Sequence, residues 1–190
     1  MPRQAIFIDR DGTLCRATGS ITAVDQVSLE PGATAAVNRF NSHGRQVVVV
    51  TQQPGIAFGE LDEDTLAEIH ERLRLLLLEH DARLDGIYHC PHHPEGTVER
   101  YRRACNCRAP GPALFERARD EMGVELEGSF FLSRSAQALR AARACGITTV
   151  LIHDEAEPGT APDLDHRVDS IDAAAELTLR DCAASAVPTS

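Results

Sequence analysis

Two aspartates two residues apart, Asp9 and Asp11, followed directly by Gly12 and Thr13, are the first residues of this chain whose types and spacing can do chemistry. At the end of a strand, with a glycine for the tight turn beyond them, one carboxylate can attack phosphorus. The other can handle the proton of the leaving group and then of water. Thr51 closes the run QVVVVT, where a hydroxyl can hold a phosphoryl oxygen beside Asp9. A second cluster is of another kind. Cys90-x-His92 and Cys105-x-Cys107 supply four soft or borderline donors in two close pairs, the composition of a structural Cys3His zinc shell. His89 and His93 adjoin that set, but adjacent residues point in different directions, so they are read as neighbours of the ligands. Cys15, Cys145 and Cys182 have no partner at ligand spacing and are read as free thiols.

The elements that must position these residues follow from hydrophobic period and punctuation. Residues 4–8 form a short apolar run, and Pro31-Gly32 opens an amphipathic stretch that Gly44 stops. The run at 46–51 is β-branched and apolar throughout, the pattern of a strand buried on both faces of a parallel sheet. Residues 62–80 carry Leu66, Ile69, Leu73 and Leu76/Leu77 at helical spacing; a short strand at 86–89 follows, then a helix at 112–122 begun by Pro112 and ended by Gly123. Strand 129–132, helix 135–145 and strand 148–152 continue the alternation. An acidic loop at 154–165 and a final helix at 171–180 complete it. Strands alternating with helices predict an α/β fold with a doubly wound parallel sheet, its site at the carboxyl ends of the strands. The expected organisation is one domain over 1–180 with a tail at 181–190. The stretch 90–112 fits neither strand nor helix, and a metal that closes it replaces the core such a loop lacks.

The chain has 190 residues, enough to bury a core without disulfide staples, and too few for two independent enzymatic domains. Its apolar runs, such as those at 47–50 and 75–78, do not exceed about four residues and are far too short to span a membrane. The amino terminus MPRQAIFIDRDG lacks the longer apolar core of a secretory signal, so a cytoplasmic location is expected. Six cysteines in such a chain read as metal ligands plus thiols. A net charge of −10 repels a polyanion, which argues against nucleic acid as partner. All nineteen basic residues are arginine, leaving no lysine for amine chemistry.

Through FIDRDGTL, VVVVTQQPGIAFG, LDGIYHCPHHPEGTVE and CNCRAPGPAL the chain resembles the haloacid-dehalogenase-like (HAD) phosphatases. Among them it resembles the D-glycero-D-manno-heptose 1,7-bisphosphate phosphatases and the related histidinol-phosphate phosphatases. The resemblance runs from about Ile6 to about Ile152, and CPHHPEG with CxC is its most specific part. It implies a capless Rossmann-like domain with Asp9 as nucleophile and Asp11 as general acid/base. Thr51 and the loop after it, with Gln52, would bind phosphate; Arg108 would meet a substrate phosphate; Cys90, His92, Cys105 and Cys107 would hold structural Zn2+.

The chain departs from the family pattern in the charge machinery. The family's zinc loop ends Cys-Arg-Lys-Pro, with the lysine on the nucleophile and transferring phosphoryl; here it reads Cys107-Arg108-Ala109-Pro110. Where Gly-Asp and a later Asp should complete a Mg2+ site stand Ser133, Arg134 and Ala138. Gln52, Pro54 and Phe58 stand where Asn, Ser and Arg are usual. For a site that must offset carboxylate and phosphate together, losing both a lysine and a divalent ion would remove about three positive charges. Arg134 could take the magnesium position, pair with Asp9 and contact the phosphoryl group, and Asp154 and Glu155 are the acids that could substitute from the next loop. Mg2+ is therefore doubtful. The expectation is a phosphatase-like protein acting through Asp9 and Asp11 on a small sugar phosphate or related phosphomonoester, with Mg2+-dependent hydrolysis impaired or altered. Two alternatives stay open: a non-catalytic relative that binds a ligand or a protein partner, and an enzyme repurposed to other acid/base chemistry.

Overall fold

The computed structural model describes residues 3–17, 19–152 and 164–185. Six parallel strands form one sheet in the order β3-β2-β1-β4-β5-β6, built from β1 (Arg3–Ile8), β2 (Gln46–Gln52), β3 (Gly86–Cys90), β4 (Val124–Ser133), β5 (Thr148–Ile152) and β6 (His166–Val168). Helices α1 (Ala33–Ser42), α2 (Gly55–Phe58), α3 (Glu63–Leu78), α4 (Ala113–Met122) and α5 (Ala136–Arg143) lie in the crossovers from β1 through β5, and α6 (Ile171–Ser185) follows β6. This is the doubly wound Rossmann-like order, in which the chain leaves β1 toward β2 on one side and reaches β4 on the other. Asp9 therefore emerges at the crevice where the order reverses.

Period-2 alternation divides the apolar strand residues between two cores. Ile6, Ile8, Val47, Val49, Phe130 and Leu132 pack with α1, α3 and α6 on one face. Ala5, Phe7, Val48, Val50 and Phe131 pack with α4 and α5 on the other. There Phe115 stands edge-on between Phe7 and Phe131, at centroid distances of 5.2 and 5.1 Å. Asp62 caps α3 by accepting from the Thr65 amide at 2.8 Å, as its place before the apolar stripe suggests.

The expected elements are present, with three differences. β4 begins at Val124, five residues earlier than the apolar run indicates, because Val124 and Leu126 are buried while Glu125 and Glu127 are exposed. Those acids hide a half-buried edge in the sequence. The three-residue β6 and the single turn α2 carry no periodic signal long enough to read. The last helix runs on to Ser185, since LTLRDCAAS has no breaker. Most of the acidic loop at 154–165, with Asp154 and Glu155, lies outside the described residues, as do 186–190 of the tail and the Cys182 side chain. Among the described residues no helix is long and apolar enough to cross a membrane.

Candidate active site

β1 ends at Ile8, and the Asp9 amide donates to the Leu132 carbonyl at 2.9 Å, so the first aspartate is held between β1 and β4. Gly12 has φ of 73°, the left-handed conformation that turns the chain back after Asp11. Asp9, Asp11, Thr51, Gln52 and Arg108 all line one cleft of about 190 Å³ at the carboxyl ends of β1 and β2. The sequence-predicted residues thus converge, with Arg134 as the exception in placement: it is exposed beyond the end of β4 and its Cδ lies 3.8 Å from where a Cβ on Gly12 would stand. A larger depression of about 630 Å³ sits at the opposite ends of the strands, around Val124 and Gly128, away from both aspartates.

The two carboxylates are held by different partners. Arg10, fully buried between them in sequence, turns its guanidinium onto Asp11 with Nε–Oδ1 at 2.7 Å and Nη2–Oδ2 at 3.0 Å. Gln53 Nε2 donates to Asp11 Oδ2 at 2.9 Å and to Thr51 Oγ1 at 2.8 Å, tying the strand-end hydroxyl to the second aspartate. Asp9 is reached from β4 by the Ser133 hydroxyl, which donates to Oδ2 at 2.8 Å and accepts from the Ser135 amide at 2.9 Å. Burial pushes the Asp9 carboxyl up to about 7, with the Asp11 charge adding to the rise and the Ser133 hydrogen bond and Arg10 opposing it. Gln52 is spent on the neighbouring loop: its Nε2 donates to the Cys107 carbonyl at 3.2 Å and its Oε1 accepts from the Ala109 amide at 3.4 Å.

Arg10, Gln53 and the donor role of Ser133 were not singled out from sequence, though two signals were present. An arginine between two aspartates at a buried strand end must pair with one of them. Thr51 and Gln53 stand two apart, so an extended backbone turns them to the same side.

The metal cluster forms as the spacing predicts. Cys90 Sγ, His92 Nδ1, Cys105 Sγ and Cys107 Sγ lie within 4.8 Å of one another. The sulfurs are 3.0 to 3.5 Å apart, far beyond a disulfide bond length. Four donors of this chemistry fit a tetrahedral ion such as zinc with every position supplied by protein. His89 instead pairs with Glu63, Nε2 to Oε2 at 2.8 Å, and the His93 ring lies 4.9 Å from that of Phe58. Cys15 and Cys145 are free thiols.

The residues present do not fit the Mg2+ that the resemblance implies. A hard divalent ion needs several oxygens free to face it. Both Asp11 oxygens are engaged by Arg10, Asp9 Oδ2 by Ser133, and the β4 corner offers Arg134 and Ala138 in place of carboxylates. Behind Asp9, where Ala109 and Ala138 are short, a cavity of about 20 Å³ walled by Leu114, Phe115 and Phe131 remains, room for about one water.

No protein-family model matches the chain. Over 165 residues it is 35% identical to the D-glycero-beta-D-manno-heptose-1,7-bisphosphate 7-phosphatase of Escherichia coli O6:H1, covering 87% of this chain and 86% of that protein. A protein of the same description from Rhodopseudomonas palustris is 35% identical over 145 residues, covering 76% of this chain and 81% of its own. Among solved structures, that of D,D-heptose 1,7-bisphosphate phosphatase from B. bronchiseptica, complexed with magnesium and phosphate, has a TM-score of 0.83 at 27% identity. It covers 94% of this chain and 99% of that one.

Proposed function

Because the chain belongs to the D-glycero-beta-D-manno-heptose-1,7-bisphosphate 7-phosphatase family of HAD phosphatases, we propose that its cleft takes a small sugar phosphate or related phosphomonoester, and that Mg2+-dependent hydrolysis there is impaired or altered. Thr51 Oγ1 and the Arg108 guanidinium would receive the phosphoryl group, with Asp9 facing phosphorus and Asp11 beside it. The zinc cluster would hold the loop that delivers Arg108 and Ala109 to the cleft.

One observation carries the second half of this reading: a neutral hydroxyl, that of Ser133, reaches Asp9 Oδ2 at 2.8 Å from the corner where the family uses carboxylates and a metal. A hydroxyl orients Asp9 without offsetting its charge. Two unit charges about 4 Å apart repel by roughly 4 kcal/mol at a partly screened site, so each uncompensated pair of carboxylate and phosphate charges slows attack by about three orders of magnitude. Arg10 relieves little of this, because it is committed to Asp11. A second reading, binding of a phosphorylated ligand without turnover, is favoured by the Asp9 carboxyl standing near 7, since a neutral carboxyl is no nucleophile.

Calorimetric titration with inorganic phosphate, and turnover of an aryl phosphate and a panel of sugar phosphates with and without Mg2+, test the proposal. Phosphate should bind, and Mg2+ should change turnover by less than about twofold. Sub-millimolar Mg2+ affinity with turnover stimulated more than tenfold would restore ordinary hydrolysis and overturn it.

A further inference from the structure

Arg10 carries more than its pair with Asp11. A buried guanidinium has five N–H groups to satisfy and cannot shed its charge. The Nε and Nη2 edge is used on Asp11, and Nη1 points the other way, into the layer of α3, where it meets His70 Nε2 at 3.2 Å. Arginine can only donate, so His70 Nε2 must present its lone pair and the ring proton must sit on Nδ1. His70 is packed in turn against His89, ring centroids 5.8 Å apart at 57°, and His89 is fixed by Glu63 at 2.8 Å. Glu63 and His70 lie seven residues apart on α3, two turns along one face, so this helix supplies both ends of the support.

We propose that His70 is a positioning residue: as the neutral Nδ1–H tautomer it holds the Arg10 guanidinium so that the opposite edge clamps both oxygens of Asp11. The inference rests on the reading that Asp11 faces the bound phosphomonoester. Burial, with Arg10 beside it and the charges of His89 and Arg74 acting the same way, pushes the imidazole down to about 3. His70 therefore remains an acceptor at neutral pH. Removing the acceptor frees Nη1 to seek another partner, and the guanidinium rotates away from Asp11 as one rigid plane. A purely space-filling histidine would have no preferred tautomer and no effect on the far edge of Arg10.

Both consequences can be read by NMR on the zinc-loaded protein without any turnover. Imidazole 15N shifts of the wild type should show His70 with its proton on Nδ1; an Nε2–H tautomer overturns the proposal whatever the variants do. The Arg10 Nε–H resonance, assigned by its loss in Arg10→Lys, should exchange slowly with water. In His70→Leu its exchange should accelerate at least tenfold, and in His70→Gln, whose amide oxygen can accept from Nη1, it should return to within about twofold of wild type. Unchanged exchange in His70→Leu, or no recovery in His70→Gln, reduces His70 to core packing and also overturns the proposal. If the tautomer and the exchange pattern hold while inorganic phosphate fails to bind, the clamp stands and the phosphomonoester reading falls.

Discussion

Replacing Asp9 by asparagine should stabilise the folded chain at neutral pH and leave it nearly unchanged in acid. The Asp9 carboxyl stands near 7 in the fold against an ordinary value of 3.8, so between those values the folded state holds a proton that the unfolded chain has released. A group with its pKa raised in this way contributes most stability below the lower value and loses it as pH rises through the higher one. About three units at about 1.4 kcal/mol each give roughly 4 kcal/mol, and the partial exposure of Asp9 brings the expectation to about 2–4 kcal/mol. Asparagine keeps an oxygen to accept from Ser133 and has no charge to bury, so it is free of this loss. Urea unfolding of wild type and Asp9→Asn, both zinc-loaded, at intervals from pH 4 to 8.5 reads the difference directly, since titrations common to both proteins cancel. That difference should grow steadily from about pH 4 and level off above pH 7. A flat difference, or one that grows toward acid, would mean that a cation compensates Asp9, which refutes an uncompensated, buried carboxyl there.

Purified protein should contain one zinc per chain at Cys90, His92, Cys105 and Cys107, and chelation should lower the thermal midpoint by about 10 °C or more; less than a tenth of an equivalent, with an unchanged melt after chelation, would refute the site. The double change Ala109→Lys with Arg134→Asp should raise sugar-phosphate turnover much more than either single change, because a lysine and a metal-binding carboxylate act on the same transferring charge. No gain over an Asp9→Asn background, with folding and zinc intact, would mean that the pocket has diverged beyond those two positions.

The fold was legible because its strands are blunt signals. QVVVVT, FFLS and TTVLI are apolar on both faces and separated by helical stretches, which leaves little but a parallel sheet. What escaped were elements whose burial is one-sided or very short, such as the start of β4 and all of β6. In the site, the ligating and acidic residues announced themselves by type and spacing. Their partners did not, because a hydrogen bond between Ser133 and Asp9 spans 124 residues and one between Arg10 and His70 spans 60. Nothing local marks His70: on the apolar side of α3 it reads as a core position until the fold brings Arg10, in the turn after β1, against it.

The two aspartates share one cleft but stand in different electrostatic surroundings. Each receives donors on the oxygens that matter, and neither is left unsatisfied by the fold. The donors differ in kind. Asp11 is met by a full positive charge in bidentate geometry, the strongest arrangement a protein offers a carboxylate. Asp9 is met by a hydroxyl, whose bond to a charged acceptor contributes about 1.5–3 kcal/mol. Burial outweighs that contribution, since the net displacement of Asp9 is upward to about 7 even with the Ser133 bond in place. Near neutral pH the Asp9 carboxyl is therefore held toward its protonated form, on the residue proposed to attack phosphorus. A phosphate bound there, as proposed, would favour that neutral form further, because it would add like charge beside Ala109, Ser133 and Arg134, where the resemblance implies a lysine and a metal. On the proposed reading, the same features that would let the cleft accept a phosphate beside Asp9 without strong repulsion would also withhold the anion that hydrolysis needs.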